Sequence, residues 1–300
     1  MHKRPELRLQ VFSSVAVAST VARGAIPPLP QGVSPAASPP PISHHQQKPM
    51  PSALMHDVRV FVWNCAGSVA RKIEVVVEAA PDIAVLSEAE EDVAEHLKDR
   101  VTGSAWRGRA GSPGLAVIAR NGWKIEPSPV EVPENLFLPV ILTRENMRLH
   151  LVGACVQKTT DYVTPTMTAL ERLSDFIRDT PTILAGDFNQ SVAFDSRKGP
   201  ARRFATVLER LGELGMRSAW HSFTGETMGA ESIPTLYWRW RDRCGSRFHI
   251  DYAFLSDEIA IASVALGSFD EFPTRKLSDH VPLLVDARLS SPVTGRPTTP

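Results

Sequence analysis

Apolar residues in this chain come in short runs, and several of the runs end on a polar side chain. Val58-Arg59-Val60-Phe61-Val62-Trp63 and Ile83-Ala84-Val85-Leu86 are rich enough in β-branched and aromatic residues to predict strands. Between them, residues 68–80 carry Ile73, Val76, Val77 and Ala80 on one helical stripe. Residues 91–100 repeat the helical pattern, with Val93 and Leu97 four apart. The character then changes to consecutive strands over 115–119, 123–130, 138–143 and 149–156, separated by Asn121-Gly122 and Glu145-Asn146. Asn-Gly between two apolar runs predicts a hairpin. A helix follows over 166–178, with Met167, Leu170, Leu173 and Ile177 inward, and then a strand over 182–185. A helix over 202–211 ended by Gly212, a strand over 248–255 and a last strand over 282–287 complete the order. Strands occur both singly with helices and in a meander, so the order predicts a mixed α/β (α+β) domain with two packed sheets and helices outside. A purely parallel, doubly wound sheet fits poorly, because the middle strands follow one another without helices.

Composition divides the chain. Residues 1–54 are crowded with Pro27-Pro28, Pro30, Pro35, Pro39-Pro40-Pro41 and Pro49 and contain few large apolar groups. Such a segment cannot bury enough surface to offset its ordering entropy and is expected to be a disordered leader. Its first part, with Lys3, Arg4 and Arg8 before Val11–Ala18, has the outline of a secretory signal, but serines break the apolar stretch. Met50 and Met55 are alternative starts. Cytoplasmic residence is expected unless residues 1–25 act as a signal. The folded domain is expected over 55–289, with 290–300 as a flexible tail.

Zero formal net charge argues against coating nucleic acid by bulk charge and leaves room for a local basic patch. Cys65, Cys155 and Cys244 are odd in number and far apart, which argues against a disulfide framework and points to inert thiols at the two strand positions. No run approaches the ~18 apolar residues of a membrane span, so no stable membrane insertion is expected, and the chain reads as a monomer.

The polar ends of the apolar runs carry the candidate chemistry. Gly186-Asp187-Phe188-Asn189 follows the strand 182–185; on extended backbone Asp187 and Asn189 face one side while Phe188 packs behind. An Asx turn closing the strand is the alternative reading. Glu88 ends the second strand, and a carboxylate beside a buried strand calls for a partner, for which a hard divalent cation is suited. Asn64 ends the first strand, where it either ligates that cation or holds Glu88. Asp251 interrupts Ile250, Tyr252 and Phe254, and accepting a hydrogen bond from an imidazole would account for it. His280, in Ser278-Asp279-His280, is the candidate partner, with His249 left as a strand-edge or substrate residue.

This set resembles the endonuclease/exonuclease/phosphatase superfamily. Gly186-Asp187-Phe188-Asn189, Ile250-Asp251-Tyr252 and Ser278-Asp279-His280 are its most specific pieces, and Trp63-Asn64 and Ser87-Glu88 match its first two stations. The resemblance spans about 58–285. It implies a four-layer αββα sandwich, two mixed β-sheets flanked by helices, and a metal-dependent phosphoester hydrolase. It further implies that Glu88, Asn64 and Asp279 hold Mg²⁺ or Mn²⁺ and that Asp187 orients or deprotonates water. Asn189 would hold the phosphate or that aspartate, and His280, oriented by Asp251, would stabilise developing phosphoryl charge. One station departs: where many members carry histidine or tyrosine, this chain has Cys155, with Gln157 nearby as a substitute donor.

Two basic regions bear on the substrate. Trp238-Arg239-Trp240-Arg241-Asp242-Arg243 interleaves aromatics with arginines, and Arg197, Lys198, Arg202 and Arg203 form a second cluster. Exposed, the first would grip a phosphodiester backbone and stack bases; as a half-buried strand it would only pack. DNA or RNA is therefore the leading substrate, an inositol or lipid phosphate the alternative, and a catalytically weak member that binds nucleic acid or a partner the second class.

Overall fold

The computed structural model describes residues 55–132, 136–240 and 246–290. The expected leader, the end of the tail, Cys244 and Arg241–Arg243 lie outside the described residues. Among the described residues fourteen strands and five α-helices occur, with short 3-10 turns between them. In chain order they are β1 (Met55–Asn64), α1 (Ile73–Glu78), β2 (Ile83–Ala89), α2 (Val93–Leu97), β3 (Gly103–Arg107), β4 (Gly114–Ala119), β5 (Lys124–Pro127), β6 (Leu136–Arg144), β7 (Met147–Cys155) and α3 (Val163–Asp179). There follow β8 (Thr182–Asp187), α4 (Phe204–Glu213), β9 (Met216–Ser218), α5 (Ala219–Thr224), β10 (Leu236–Tyr237), β11 (Arg247–Phe248), β12 (Asp251–Ser256), β13 (Ala260–Leu266) and β14 (Leu283–Ser290).

Two six-stranded mixed sheets form the frame, ordered β13-β14-β1-β2-β4-β3 and β5-β6-β7-β8-β12-β9. Each contains one parallel pair, β1 with β2 and β7 with β8, among antiparallel neighbours. Strand alternation sorts the apolar residues into three buried layers. Val58, Val60 and Val62 of β1 meet Ile183 and Ala185 of β8 and Ala253 and Leu255 of β12 between the sheets. On the outer face of the second sheet, Leu184, Tyr252 and Phe254 pack against Leu170, Leu173 and Ile177 of α3 and Val207 and Leu211 of α4. On the outer face of the first, Phe61, Trp63 and Leu86 pack against Val76 of α1 and Val93 and Leu97 of α2. Three apolar layers separate four layers of secondary structure, the αββα sandwich expected from the sequence.

Several local expectations give way to tertiary context. The helix expected over 68–80 is a 3-10 turn at Val69–Arg71 followed by α1, broken at Lys72, whose ammonium reaches back to the carbonyls of Cys65 and Gly67. The second expected helix is likewise only α2 and a 3-10 turn over Lys98–Arg100. Asn121-Gly122 does make a turn, with positive φ at both residues, but it joins β4 of one sheet to β5 of the other rather than closing a hairpin. Both faces of β4 are buried, so its pairing with β2 and β3 is set by the core and not by the turn. Glu145-Asn146 closes the β6–β7 hairpin as expected. Gly212 lies inside α4; the helix ends at Glu213 with Leu214 as its C-cap, and Gly215, at φ 70°, follows.

Candidate active site

The site sits where the layer between the sheets opens at one end. Asn64 continues the inward alternation of Val58, Val60 and Val62 to the last residue of β1, and Asp187 does the same for Ile183 and Ala185 in β8. Asp251 opens β12 directly opposite Asp187 in the antiparallel ladder. Each polar group therefore occupies the position at which the inner face of a strand meets the mouth. Glu88 arrives by another device. The β2–β4 register slips between Ser87 and Ala89, and Glu88 takes φ 56°; this bulge turns its side chain out of the alternation and leaves it exposed.

The groups interlock. The Asn64 amide Nδ2 donates to Glu88 Oε1 at 3.0 Å and to Asp187 Oδ2 at 2.9 Å, while its Oδ1 accepts from the Ala66 N–H at 3.0 Å. Asn64 thus spans the two acids through its nitrogen and spends its carbonyl on the backbone. Asp187 Oδ1 accepts the Asn189 N–H at 2.8 Å, and Oδ2 accepts the Asn189 amide at 3.2 Å. The first of these closes an Asx turn, and Asn189 sits at φ 52°. Asp187 and Asn189 therefore meet through that turn and not through the strand alternation expected from their spacing; Phe188 packs behind them as expected. His280 Nδ1 lies 2.8 Å from Asp251 Oδ2, leaving Nε2 for an incoming group.

Electrostatics follow from burial. Burial, and then the neighbouring Asp251 charge, push the Asp187 carboxyl up to about 7 against the pull of His280, Asn64 and Asn189. Burial alone would lower the His280 imidazole, but the charge and hydrogen bond of Asp251, with Asp187 and Asp279 behind, raise it to about 10. Asp279 is half-buried; burial pushes its carboxyl up, His280 pulls it back, and Glu88 and Asp251 add to the rise. Ligand atoms of Asp187, Asp251 and His280 all lie within 4.8 Å of one another. Asp251 Oδ1 is buried without a partner. Glu88 is exposed here and its charge is felt at Asp279; two such carboxylates supply the hard oxygen donors that suit a divalent cation.

A sequence profile of the Endonuclease/Exonuclease/phosphatase family matches residues 61–280. The chain belongs to this family. Among solved structures it is similar to an endonuclease/exonuclease/phosphatase from Beutenbergia cavernae, at 20% identity and TM-score 0.54 over 80% of this chain and 74% of that one. It is also similar to the 3' phosphatase NExo from Neisseria bound to product DNA hairpin, at 20% identity and TM-score 0.54 over 76% of this chain and 98% of that one. D. rerio TDP2 complexed with single strand DNA product matches at 15% identity and TM-score 0.55 over 77% of this chain and 98% of that one. These likenesses concern the fold. No curated protein matches the chain by sequence.

In this family member the departing station is a buried thiol. Cys155 pairs with Asp187 across the β7–β8 ladder and belongs to the layer between the sheets. Burial, and then the Asp187 charge, hold its thiol well above the usual range, so it is no proton donor to a nearby oxyanion but a small apolar filler. Cys65 is likewise buried, its thiol pushed up to about 12. Gln157 is exposed two residues beyond the end of β7. His249 is neither a strand-edge nor an open group: it is buried, its Nδ1 3.1 Å from the Ile233 carbonyl and its ring beside Trp220, His221 and Tyr252.

Three supporting roles escaped the sequence reading. Ser278 Oγ donates to the Asn64 carbonyl at 2.7 Å and accepts the His280 N–H at 3.0 Å, tying the first strand to the imidazole segment. Ser278 and His280 are two apart, a spacing that could have suggested this turn. Thr235, fully buried, accepts from the N–H groups of Ile250 and Asp251 at 3.0 Å each, and its carbonyl takes the Val281 N–H at 2.8 Å. Nothing in its sequence surroundings marks it. Tyr162, at the start of α3, is held above its ordinary value by burial and then by the Asp187 charge.

Two consequences are measurable. Thr235→Val keeps the shape of the side chain and removes one acceptor from two buried donors. An orphaned buried donor costs about 1–3 kcal/mol, so a lowered urea midpoint of that size is expected, together with reduced turnover because Asp251 loses its anchor. An unchanged midpoint would show that Thr235 is not what holds Asp251. Stability also depends on pH. His280 binds its proton more tightly folded than unfolded, so its contribution is complete below the ordinary histidine value near 6.5 and is lost as pH rises to about 10. Urea titrations of the metal-free protein should show stability declining across that window, with a flatter decline in Asp251→Asn.

Proposed function

We propose that this chain is a divalent-cation-dependent phosphodiester hydrolase acting on nucleic acid. The observation that carries the reading is a buried carboxyl, Asp187, raised to about 7 and fixed by three hydrogen bonds beside the Asp251–His280 pair. A carboxylate whose proton affinity lies near neutral pH suits a general base. In this reading Asp187 takes a proton from a water that attacks phosphorus, and the bond from phosphorus to the leaving oxygen breaks. His280, held cationic by Asp251, donates through Nε2 to the phosphoryl oxygens as negative charge grows on them. Asn189 fixes the face of Asp187. The leaving oxygen takes its proton from solvent, since Cys155 is buried and protonated at any physiological pH.

Glu88 and Asp279 would hold Mg²⁺ or Mn²⁺, with Asn64 positioning Glu88 rather than ligating through its occupied carbonyl. When bound, the cation supplies charge neutralisation at the phosphate. Support for a nucleic acid comes from two similar folds whose structures contain DNA products, and from cations near the mouth. Lys198, in the second basic cluster, donates to Gln190 at 2.9 Å, one residue after Asn189.

The test is cleavage of plasmid and of a labelled oligonucleotide with Mg²⁺, with Mn²⁺ and with EDTA. Metal-dependent cleavage that is lost on chelation supports the reading. Retention of DNA without cleavage, with or without metal, would favour the binding class instead, for which the missing imidazole or phenol at Cys155 is the motive. Turnover of an inositol phosphate or a phospholipid ester in place of DNA would move the substrate within the family.

A further inference from the structure

Among the described residues only two large apolar side chains are strongly exposed, Phe223 and Trp238. Phe223 lies on α5, whereas Trp238 lies at the catalytic mouth. The preceding strand, β10, is bridged to the imidazole segment: Leu236 pairs with His280, and the Tyr237 N–H donates to the Asp279 carbonyl at 2.8 Å. The Trp238 N–H donates to Ser246 at 3.1 Å, which fixes the base of the turn. The chain then takes two consecutive left-handed residues, Arg239 at φ 56° and Trp240 at φ 57°. Neither is glycine, and such backbone is costly for residues with side chains. The stretch is therefore not the half-buried strand that its alternation also allowed.

This turn arranges the side chains to one effect. The Arg239 guanidinium sits over the Trp238 ring, 5.6 Å from its centroid. Trp238 itself stays 47% exposed. Lys276, four residues before His280, stands 5.4 Å from the Trp240 ring, and Arg247 is exposed on the neighbouring strand. A flat ring backed by a cation and flanked by more of them matches a nucleobase next to its phosphates. A protein partner would gain little from this concentration of one charge sign around two aromatic rings.

We propose that Trp238 is a base-stacking platform, backed by Arg239, which makes this centre prefer single-stranded nucleic acid. The proposal rests on the phosphodiesterase reading above and names its substrate more closely. Trp238 is two residues beyond the partner of His280, or about 7 Å along an extended strand. A base stacked there must be unpaired to offer its face.

The test uses the full chain carrying Asp187→Asn, so that the strand stays intact, and reads the anisotropy of a labelled single-stranded oligonucleotide. One stacked base is worth enough to predict about a tenfold weaker Kd on adding Trp238→Ala. Trp238→Phe should recover most of the loss, and Phe223→Ala should leave binding as it was. A blunt duplex of the same sequence should bind more weakly and respond little to Trp238→Ala. Equal affinity of the Trp238→Ala chain, or no binding of the single strand at all, would overturn the proposal. Bis(p-nitrophenyl) phosphate hydrolysis by the chain with native Asp187 reports separately on the catalytic reading. If the small ester is not turned over but Trp238→Ala still weakens strand binding, the hydrolase assignment falls and the stacking platform stands.

Discussion

Asp187→Asn is expected to reduce phosphodiester hydrolysis by at least ~10²–10⁴-fold, the range that a positioned general base contributes, while the chain still folds. The substitution changes almost no volume, and Oδ1 of the new amide can still accept the Asn189 N–H that Asp187 accepts at 2.8 Å. Its nitrogen, however, would face the amide nitrogens of Asn64 and Asn189, which now donate to Oδ2 at 2.9 and 3.2 Å. Three donors cannot satisfy one another, so Asn64 must turn and release Glu88 as well. Against this, removing a carboxyl that burial already drives toward its neutral form relieves a desolvation cost. The two effects oppose each other in stability and act together on catalysis. Steady-state rates on bis(p-nitrophenyl) phosphate, beside a thermal melt, separate them. A folded variant with wild-type turnover would remove Asp187 from the mechanism. Asp251→Asn should produce a smaller fall, because His280 keeps its place on Ser278 and loses only the charge that holds its proton.

How much of this was readable beforehand depends on the range over which each feature is set. Polar residues that break an apolar strand were legible because strand alternation is local: Asn64 and Asp187 each end an apolar run, and Asp251 interrupts one, although the strand expected over 248–255 in fact opens at Asp251. The layer architecture was legible from the order of helical and extended runs. Elements held by tertiary contact were not. β13 is a run of Ala260–Leu266 in which Ser263 and three alanines carry little strand signal, and it exists because β14 offers it an edge. β9 is three residues long and pairs only with β12. The bulge at Glu88 depends on the partner strand β4, so a sequence can place the acid at a strand end but not turn its side chain. Thr235 is the sharpest case. Its hydroxyl serves two backbone donors of β12 and the segment before it, and no periodicity marks a residue whose partners are fifteen and sixteen positions away.

Gly186→Ala should be the most damaging single methyl that could be added to this protein. Gly186 sits at φ 145°, backbone that residues with a β-carbon essentially do not adopt. A Cβ built there would lie 1.8 Å from the Ala154 carbonyl oxygen, 2.7 Å from its carbon and 2.9 Å from the Ala154 nitrogen. All three are backbone atoms of the paired strand β7, so no rotamer can yield. Relief requires β7 and β8 to separate, but Ala154 faces Gly186 and Cys155 faces Asp187 in that ladder, and the Ala154 carbonyl also accepts Ser87 Oγ of the other sheet at 3.2 Å. Separation therefore costs strand pairing, a contact between the sheets and the placement of Asp187 together. A loss beyond about 4–5 kcal/mol is expected, the exceptional end of point-mutant effects, seen as insoluble protein or as no cooperative melt. Gly212→Ala is the matched control: it lies within α4, where an added Cβ meets nothing within 4 Å, and should stabilise by up to ~1 kcal/mol through helix propensity. A soluble Gly186→Ala chain melting with the wild type would mean that the two strands do not approach here as closely as described, and the geometry that delivers Asp187 to the mouth would fall with that approach.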